Sequence, residues 1–196
     1  MQRTKGRPKQ FDERQALTAA MNYFWEHGYD SSSLSDLLGV MGIGKSSFYQ
    51  AFGSKENLFR MALALYAETS NGLIRGLEQQ MSAKQVLLTL AQSAVDDMKA
   101  TGKTRGCLVM NSGAECYRQH PEMGELIQYE YKAFHKMFAE LIRAGQAAGD
   151  ISNPTEAPIL ASIYMSLVNG LVVMIKAGAN DDQVESVMKH IAVQLT

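Results

Sequence analysis

Two glycines, Gly42 and Gly44, interrupt a helical hydrophobic pattern in the first third of the chain. Before them, apolar residues recur at three- and four-residue spacing over 34–41, which predicts a short helix. After them, Phe48 and Phe52 lie four residues apart and therefore share one face of a second short helix. Glycine supplies the backbone angles of a tight turn, which other residues rarely adopt. The stretch therefore predicts a helix-turn-helix.

The second helix of this motif has the properties of a helix that enters the DNA major groove. Its two phenylalanines are predicted core anchors, because a recognition helix must be held firmly against its domain. Its first residues are small and polar, and the N–H groups and positive dipole at a helix start favour phosphate. The residues predicted to face DNA here are Gly44, Lys45, Ser46, Ser47, Tyr49 and Gln50.

Residues 39–46 also match the phosphate-loop pattern G-x-x-x-x-G-K-S in full. That loop requires a buried strand before it and a helix after it. The preceding residues instead have helical spacing, and Ser33 with Asp36 resembles a capping box at a helix start. No other run alternates like a strand. A nucleotide-binding enzyme using 39–46 is therefore the alternative interpretation, and a DNA-binding protein is the favoured one.

Positive charge is concentrated at the start of the chain. Residues 1–60 hold eight Lys or Arg and six Asp or Glu, a net charge of +2, whereas 61–196 hold eleven and fourteen, a net charge of −3. The first ten residues carry four cations and no acid, and we expect them to form a flexible basic arm. Arg7, between Gly6 and Pro8, is predicted to lie in a narrow minor groove. A solvated charged tail is the other interpretation.

Composition restricts the compartment and the chemistry. Two cysteines in 196 residues do not make a disulfide framework, and the polar, basic start shows no signal-peptide pattern. The longest apolar stretch, 159–175, contains two serines and an asparagine and is interpreted as too short and too polar for a membrane span. Cys116 and His120 lack further ligands for a metal. We expect a cytoplasmic protein with no membrane association, cofactor, metal or catalytic site.

Apolar residues at helical spacing continue through the remaining two thirds of the chain. They predict a fourth helix towards Leu77, a sixth over 107–119, a long seventh, and a ninth capped by Asp181. The eighth, which reaches Lys176, is apolar nearly all round, so a second copy of the chain is expected to cover part of it. The chain is predicted to be all-α, with about nine helices.

Four runs in the first third, in their order and spacing, resemble the N-terminal domain of the TetR family of one-component bacterial regulators. They are 24–29 (FWEHGY), 33–37 (SLSDL), 42–49 (GIGKSSFY) and 52–59 (FGSKENLF). The resemblance implies that both Tyr49 and Lys55 contact phosphates. Ser46 departs from the glycine or proline that relatives often carry. The positions implied to face DNA are Ser33, Lys45, Ser46, Ser47, Tyr49 and Lys55.

The same resemblance implies a two-domain architecture. A three-helix DNA-binding domain with the helix-turn-helix is expected over 11–56, and a helical ligand-binding and dimerisation domain over 57–196. A homodimer would place two recognition helices in successive major grooves of a near-palindromic operator, most often as a repressor. The interface is expected on the last two helices, at Ile163, Leu167, Leu171, Val184, Met188 and Ile191.

The resemblance also implies an effector site in the second domain. A small-molecule inducer would bind among Met98, Met110, Tyr117, Tyr131, Phe134, Met137 and Phe138, although such residues are also ordinary core. Relatives that carry Gly-Cys-Leu at the place of Gly106 and Cys107 use the cysteine to sense oxidants or electrophiles. Nearby Lys103 and Arg105, with a helix start, favour a reactive thiolate. A small buried hydrophobe is the alternative for Cys107.

Overall fold

The computed structural model describes residues 11–116 and 119–196, and these residues form nine α-helices and no strand. The all-α prediction is therefore confirmed. The chain divides into two compact units, the first ending at Tyr66 and the second beginning at Ala67. The helices are α1 Glu13–His27, α2 Leu34–Met41, α3 Lys45–Phe52, α4 Lys55–Glu78, α5 Ala83–Thr101, α6 Leu108–Cys116, α7 Pro121–Ala147, α8 Ala157–Lys176 and α9 Asp181–Val193.

Local signals set the ends of the first helices, and the cap of α2 and the glycine turn after it are as predicted. The Asp12 carboxylate accepts hydrogen bonds from the backbone N–H groups at the start of α1, and Gly28 ends that helix with φ +79°. Ser33 and Asp36 form a full capping box at the start of α2. Gly42 ends α2 in the left-handed conformation, with φ +65°, so this glycine makes the turn of the helix-turn-helix.

The first half of α4 belongs to the first compact unit. Its Leu58, Phe59, Ala62 and Leu63 are completely buried, and the Phe59 ring meets Phe24 of α1 edge-on with ring centroids 5.0 Å apart. Because these side chains complete the core beneath α1, the compact unit extends past the predicted boundary at residue 56. A boundary drawn from the motif alone leaves this packing out.

The second unit is built around α7 and α8. Helix α7 packs against α5, α6 and α8, while α9 packs against α5 and α8. The Tyr164 hydroxyl, buried in α8, donates a hydrogen bond of 2.8 Å to the Leu87 carbonyl of α5. Complete burial raises the pKa of this tyrosine well above its ordinary value, so it remains a neutral donor.

Two details of the second unit differ from the sequence-based expectation. Helix α9 is capped by Asn180 rather than by Asp181, which is its first helical residue. The Asn180 side chain accepts from the Gln183 N–H, and the Gln183 side chain accepts from the Asn180 N–H, both at 3.0 Å. Helix α6 begins at Leu108 and its described part ends at Cys116.

Helix α8 is long and apolar enough to cross a membrane by length and composition, which corrects the expectation that it is too short and too polar. One such helix is weak evidence for a span, because core helices of soluble proteins have the same properties. Leu160, Ala161 and Leu171 are fully buried within the chain's own second unit. The apolar composition of α8 is therefore partly explained by its core position.

Candidate nucleic-acid interface

Helix α3 is anchored on one face and open on the other. Phe48 is completely buried and Phe52 is 1% exposed, with their ring centroids 6.0 Å apart, so both are core anchors as predicted. Tyr49, between them in sequence, is 49% exposed. Of the other predicted DNA-facing positions on this helix, Ser47 is half-buried. The exposed ones are Gly44, Lys45, Ser46 and Gln50.

The N-terminus of α3 is accessible. Gly44 occupies the cap position without a side chain to bond the first N–H groups, and no acid lies in the first turn. Its φ is −78°, and a Cβ built there would meet no atom within 4 Å. Neither backbone strain nor internal packing therefore requires glycine here, in contrast to Gly42. A slim helix start with available N–H groups suits close approach by a phosphate or a base edge.

The Ser33 side chain is exposed but already engaged. Its hydroxyl donates to the Asp36 carboxylate at 2.5 Å and accepts from the Asp36 N–H at 3.1 Å. Phosphate oxygens only accept hydrogen bonds, so a phosphate contact through this hydroxyl would require it to leave Asp36. Capping is the role that the geometry gives to Ser33.

Lys55 is the first residue of α4 and lies at the edge of the same unit. Its ammonium nitrogen lies 4.3 Å from the centroid of the Tyr29 ring. The preceding Ser54 caps α4 by accepting the Asn57 N–H at 3.0 Å. The predicted phosphate-binding lysine is thus placed by a helix start and by an aromatic face. Arg7 and the basic arm lie outside the described residues.

Comparison with protein families identifies the fold. The family described as "Bacterial regulatory proteins, tetR family" matches residues 16–62, which contain the whole helix-turn-helix. The family described as "Tetracyclin repressor-like, C-terminal domain" matches residues 83–191, more than half of the chain. The chain belongs to the TetR family. Its members are DNA-binding transcriptional regulators rather than enzymes.

Individual relatives of this TetR-family chain match along nearly its full length. It is 28% identical over 193 residues to the uncharacterized HTH-type transcriptional regulator YezE of Bacillus subtilis, covering 97% of this chain and 98% of YezE. It is 26% identical over 186 residues to the HTH-type transcriptional repressor ComR of Escherichia coli, covering 92% and 87%. A cysteine mutant of the TetR family regulator CifR, complexed with 26-bp operator DNA, is similar with a TM-score of 0.81 and 31% identity, covering 97% and 100%.

The alternative based on a phosphate loop is wrong. Residues 39–41, which would open that loop, form the last turn of α2, whereas a phosphate loop follows a buried strand. Gly42 then ends the helix in a left-handed turn that leads into α3. The match to G-x-x-x-x-G-K-S is a coincidence of turn glycines with a polar recognition helix.

The residues proposed for the ligand pocket are not equally placed inside the second unit. Phe134 is buried, and the Phe138 ring lies 5.3 Å from that of Tyr164 in α8. Tyr131 is 39% exposed. Tyr117 lies outside the described residues. The half-buried members are Met98, Met110, Met137 and Phe138.

Cys107 occupies the position directly before α6. Its carbonyl accepts the Asn111 N–H at 2.9 Å, so it is the cap residue rather than part of the first turn. It is half-buried, whereas Cys116 is completely buried. The adjoining loop is held from two sides, because the Asn111 amide and the Lys176 ammonium both donate to the Arg105 carbonyl, at 2.8 and 3.2 Å.

The predicted dimer residues separate into two groups. Leu171, Val184 and Ile191 are buried within their own chain, so their side chains belong to the core of one protomer. Half-buried residues make up the second group: Ile163, Leu167 and Met188. The exposed apolar side chains of α8 and α9 are Ile159 at 51%, Val173 at 65% and Val193 at 57%.

Glu130 is a residue that sequence patterns did not single out. It lies in the buried stripe of α7 between Ile127 and Phe134 and is only 7% exposed. Burial raises the pKa of its carboxyl above the ordinary value. Its four-residue spacing from Phe134 was the available signal, since a charged residue on the apolar stripe of a helix is unusual.

We predict that Glu130→Gln stabilises the protein at neutral pH. The raised pKa means that the folded state binds the Glu130 proton more tightly than the unfolded state does. Glu130 therefore contributes fully to stability only below its unfolded pKa, and this stability is lost as the pH rises through its folded pKa. Glutamine removes the buried charge, so the free energy of unfolding should rise by about 1 kcal/mol at pH 7. Denaturant unfolding at pH 7 and at about 4.3, the ordinary Glu pKa, should show the gain shrinking as pH falls.

Glu125, exposed on the same helix, provides the matched control. Glu125→Gln should leave stability unchanged at both pH values. A Glu130→Gln gain that is equal at both pH values would contradict the electrostatic explanation.

Proposed function

We propose that this TetR-family regulator is a repressor that binds a near-palindromic operator as a homodimer. The observation that carries the proposal is helix α3, which exposes a polar face at its N-terminal end while Phe48 and Phe52 fix it in the core. Similarity to ComR, named as a repressor, supports repression, and similarity to CifR, solved with operator DNA, supports DNA as the partner. DNA binding is assigned to the first compact unit, which contains residues 11–56 and the buried start of α4, and regulation and dimerisation are assigned to the second unit.

The homodimer is supported by the apolar surface of the last two helices. Ile159, Val173 and Val193 each expose more than half of their side chains. Two protomers packed through α8 and α9 would cover such residues, and a two-fold axis would pair two recognition helices with two half-sites. The protein acts in the cytoplasm, free of membranes, where its DNA is accessible.

Release from DNA follows from two conformations with different affinities for the operator. A small ligand in the second unit, or modification of Cys107, favours the conformation that binds DNA weakly. The half-buried thiol at the start of α6 supports Cys107 as the modified group, whereas complete burial makes Cys116 a poor candidate.

Selection of bound duplexes from a random pool, at fixed salt and with or without N-ethylmaleimide, tests this proposal. An inverted repeat should be enriched, and sedimentation should show a dimer on it. Cys107→Ser should retain binding in the presence of the electrophile. Enrichment of a single half-site, or none, would contradict the dimeric repressor, and release of Cys107→Ser by the electrophile would contradict the sensor.

Two substitutions on α3 separate sequence recognition from backbone contact. Lys45→Ala should relax preference at one position of each half-site, by about 1–3 kcal/mol, if its ammonium contacts a guanine. Tyr49→Ala should instead weaken binding to all duplexes alike, because a phosphate contact carries no sequence information. Competition with single-base variants of the selected site measures both effects. An unchanged preference for Lys45→Ala would assign Lys45 to the backbone.

A further inference from the structure

We propose that Tyr29 is a positioning residue for DNA binding, whose ring holds the Lys55 ammonium in place for a phosphate. The inference rests on the proposed function, together with the phosphate contact that the TetR-family resemblance implies for Lys55. The juxtaposition that carries it is the 4.3 Å separation between the Lys55 ammonium nitrogen and the centroid of the Tyr29 ring. Cations within about 6 Å of an aromatic centroid are attracted by the negative face of the ring.

Lys55 occupies an unfavourable place for a cation. It is the first residue of α4, where the positive end of the helix dipole repels an ammonium. A lysine side chain has many rotamers, and fixing it in one of them costs conformational entropy. Contact with the face of Tyr29 opposes the repulsion and restricts the side chain, so less conformational freedom remains to be lost when a phosphate binds.

The Tyr29 ring is itself fixed by the core. It is 9% exposed, and its centroid lies 6.1 Å from that of Phe24 in α1 and 4.9 Å from that of Phe59 in α4. Those two phenylalanines meet edge-on at 5.0 Å and are buried. Gly28, with φ +79°, ends α1 immediately before Tyr29. The ring is therefore packed between α1 and α4, by contacts that do not involve the Lys55 side chain.

This arrangement gives Tyr29 a role that its burial alone would not reveal. As a core residue it needs only bulk, which leucine also supplies. As a support for an ammonium it needs the quadrupole of an aromatic ring, which phenylalanine keeps and leucine lacks. If Tyr29 only fills the core, the Tyr29→Phe and Tyr29→Leu variants should bind DNA with similar affinity. If its ring supports the ammonium, Tyr29→Phe should bind DNA more tightly than Tyr29→Leu.

A double-mutant cycle on the full chain tests the proposal. Affinities for the selected operator and for a scrambled duplex of equal length are measured by fluorescence anisotropy over a series of KCl concentrations. The variants are Tyr29→Phe, Tyr29→Leu, Lys55→Met and the Leu/Met double variant. Lys55→Met should weaken binding to both duplexes and reduce the slope of log affinity against log salt by about 1.

Tyr29→Leu should weaken binding about three- to tenfold in the Lys55 background, on the scale of a cation–π contact. It should have no further effect in the Lys55→Met background, and Tyr29→Phe should bind within about twofold of the parent. Because any folding loss from leucine is present in both backgrounds, the cycle cancels it, and melting temperatures record it separately.

Equal losses from Tyr29→Leu in the two backgrounds would overturn the positioning role, as would a Tyr29→Phe variant as weak as Tyr29→Leu. A parent protein that binds neither duplex would overturn the proposed function itself. A parent that binds normally while Lys55→Met has no effect would remove the phosphate contact and the positioning role together, leaving the repressor intact.

Discussion

Phe48→Ala is expected to abolish operator binding by releasing the recognition helix from its core. The Phe48 side chain is completely buried on the inner face of α3. The centroid of its ring lies 6.0 Å from that of Phe52 and 5.3 Å from that of Tyr49. Truncating a buried phenylalanine costs about 3–5 kcal/mol, through lost burial and the cavity left behind. That is a large fraction of the roughly 5–15 kcal/mol by which domains are stable.

Denaturant unfolding followed by circular dichroism, together with operator binding, measures this effect. Tyr49→Ala is the matched control, since Tyr49 is the next residue on α3 and is 49% exposed. The control should lose affinity while its stability changes by about 1 kcal/mol or less. A Phe48→Ala protein with the stability of its parent would show that α3 is held by other contacts.

Gly106→Ala is expected to destabilise the second unit by about 2–4 kcal/mol, from left-handed backbone strain and overpacking together. Gly106 has φ +72°, a conformation that L side chains rarely adopt. A Cβ there would also lie 2.7 Å from the Val172 Cγ1 of α8, well inside contact distance. Valine is branched at Cβ and has few rotamers through which to move away.

Gly102→Ala provides a control at nearly the same φ. Its φ is +69°, but a Cβ at this position meets no atom within 4 Å. Alanine at 102 should therefore lose only the backbone contribution, about 1–2 kcal/mol. Thermal unfolding measures the loss of stability in each variant, and the difference between the two losses is the cost of the contact with Val172. Equal losses at the two glycines would show that Val172 yields without cost.

The Gly106 contact also changes how the Gly-Cys-Leu sequence is understood. The resemblance connected this sequence with sensing, but the structure gives its glycine a packing role against α8. Leu108 is likewise buried, at 1% exposure. Two of the three residues are therefore explained by structure, and the Cys107→Ser experiment must supply the evidence for the third.

The sequence by itself determined the all-helical fold, the local ends of the first helices and the buried face of α3. Capping at Asp12 and Ser33 and the left-handed turn at Gly42 depend on hydrogen bonds and backbone angles within a few residues. The spacing of Phe48 and Phe52 similarly fixed which face of α3 is buried, because a helix brings residues four apart together. Such features need no knowledge of distant parts of the chain.

Only the tertiary structure decided which apolar and charged side chains are enclosed. Leu171 and Ile191 follow the same apolar pattern as Ile163 and Met188, yet the first two are completely buried and the others are not. Neighbouring helices, brought together from distant sequence, determine that difference, as they do for Glu130 on α7. The same physical reason places the Lys55 ammonium over a ring twenty-six positions earlier in the chain. Periodicity identifies a face, whereas long-range packing determines what that face meets.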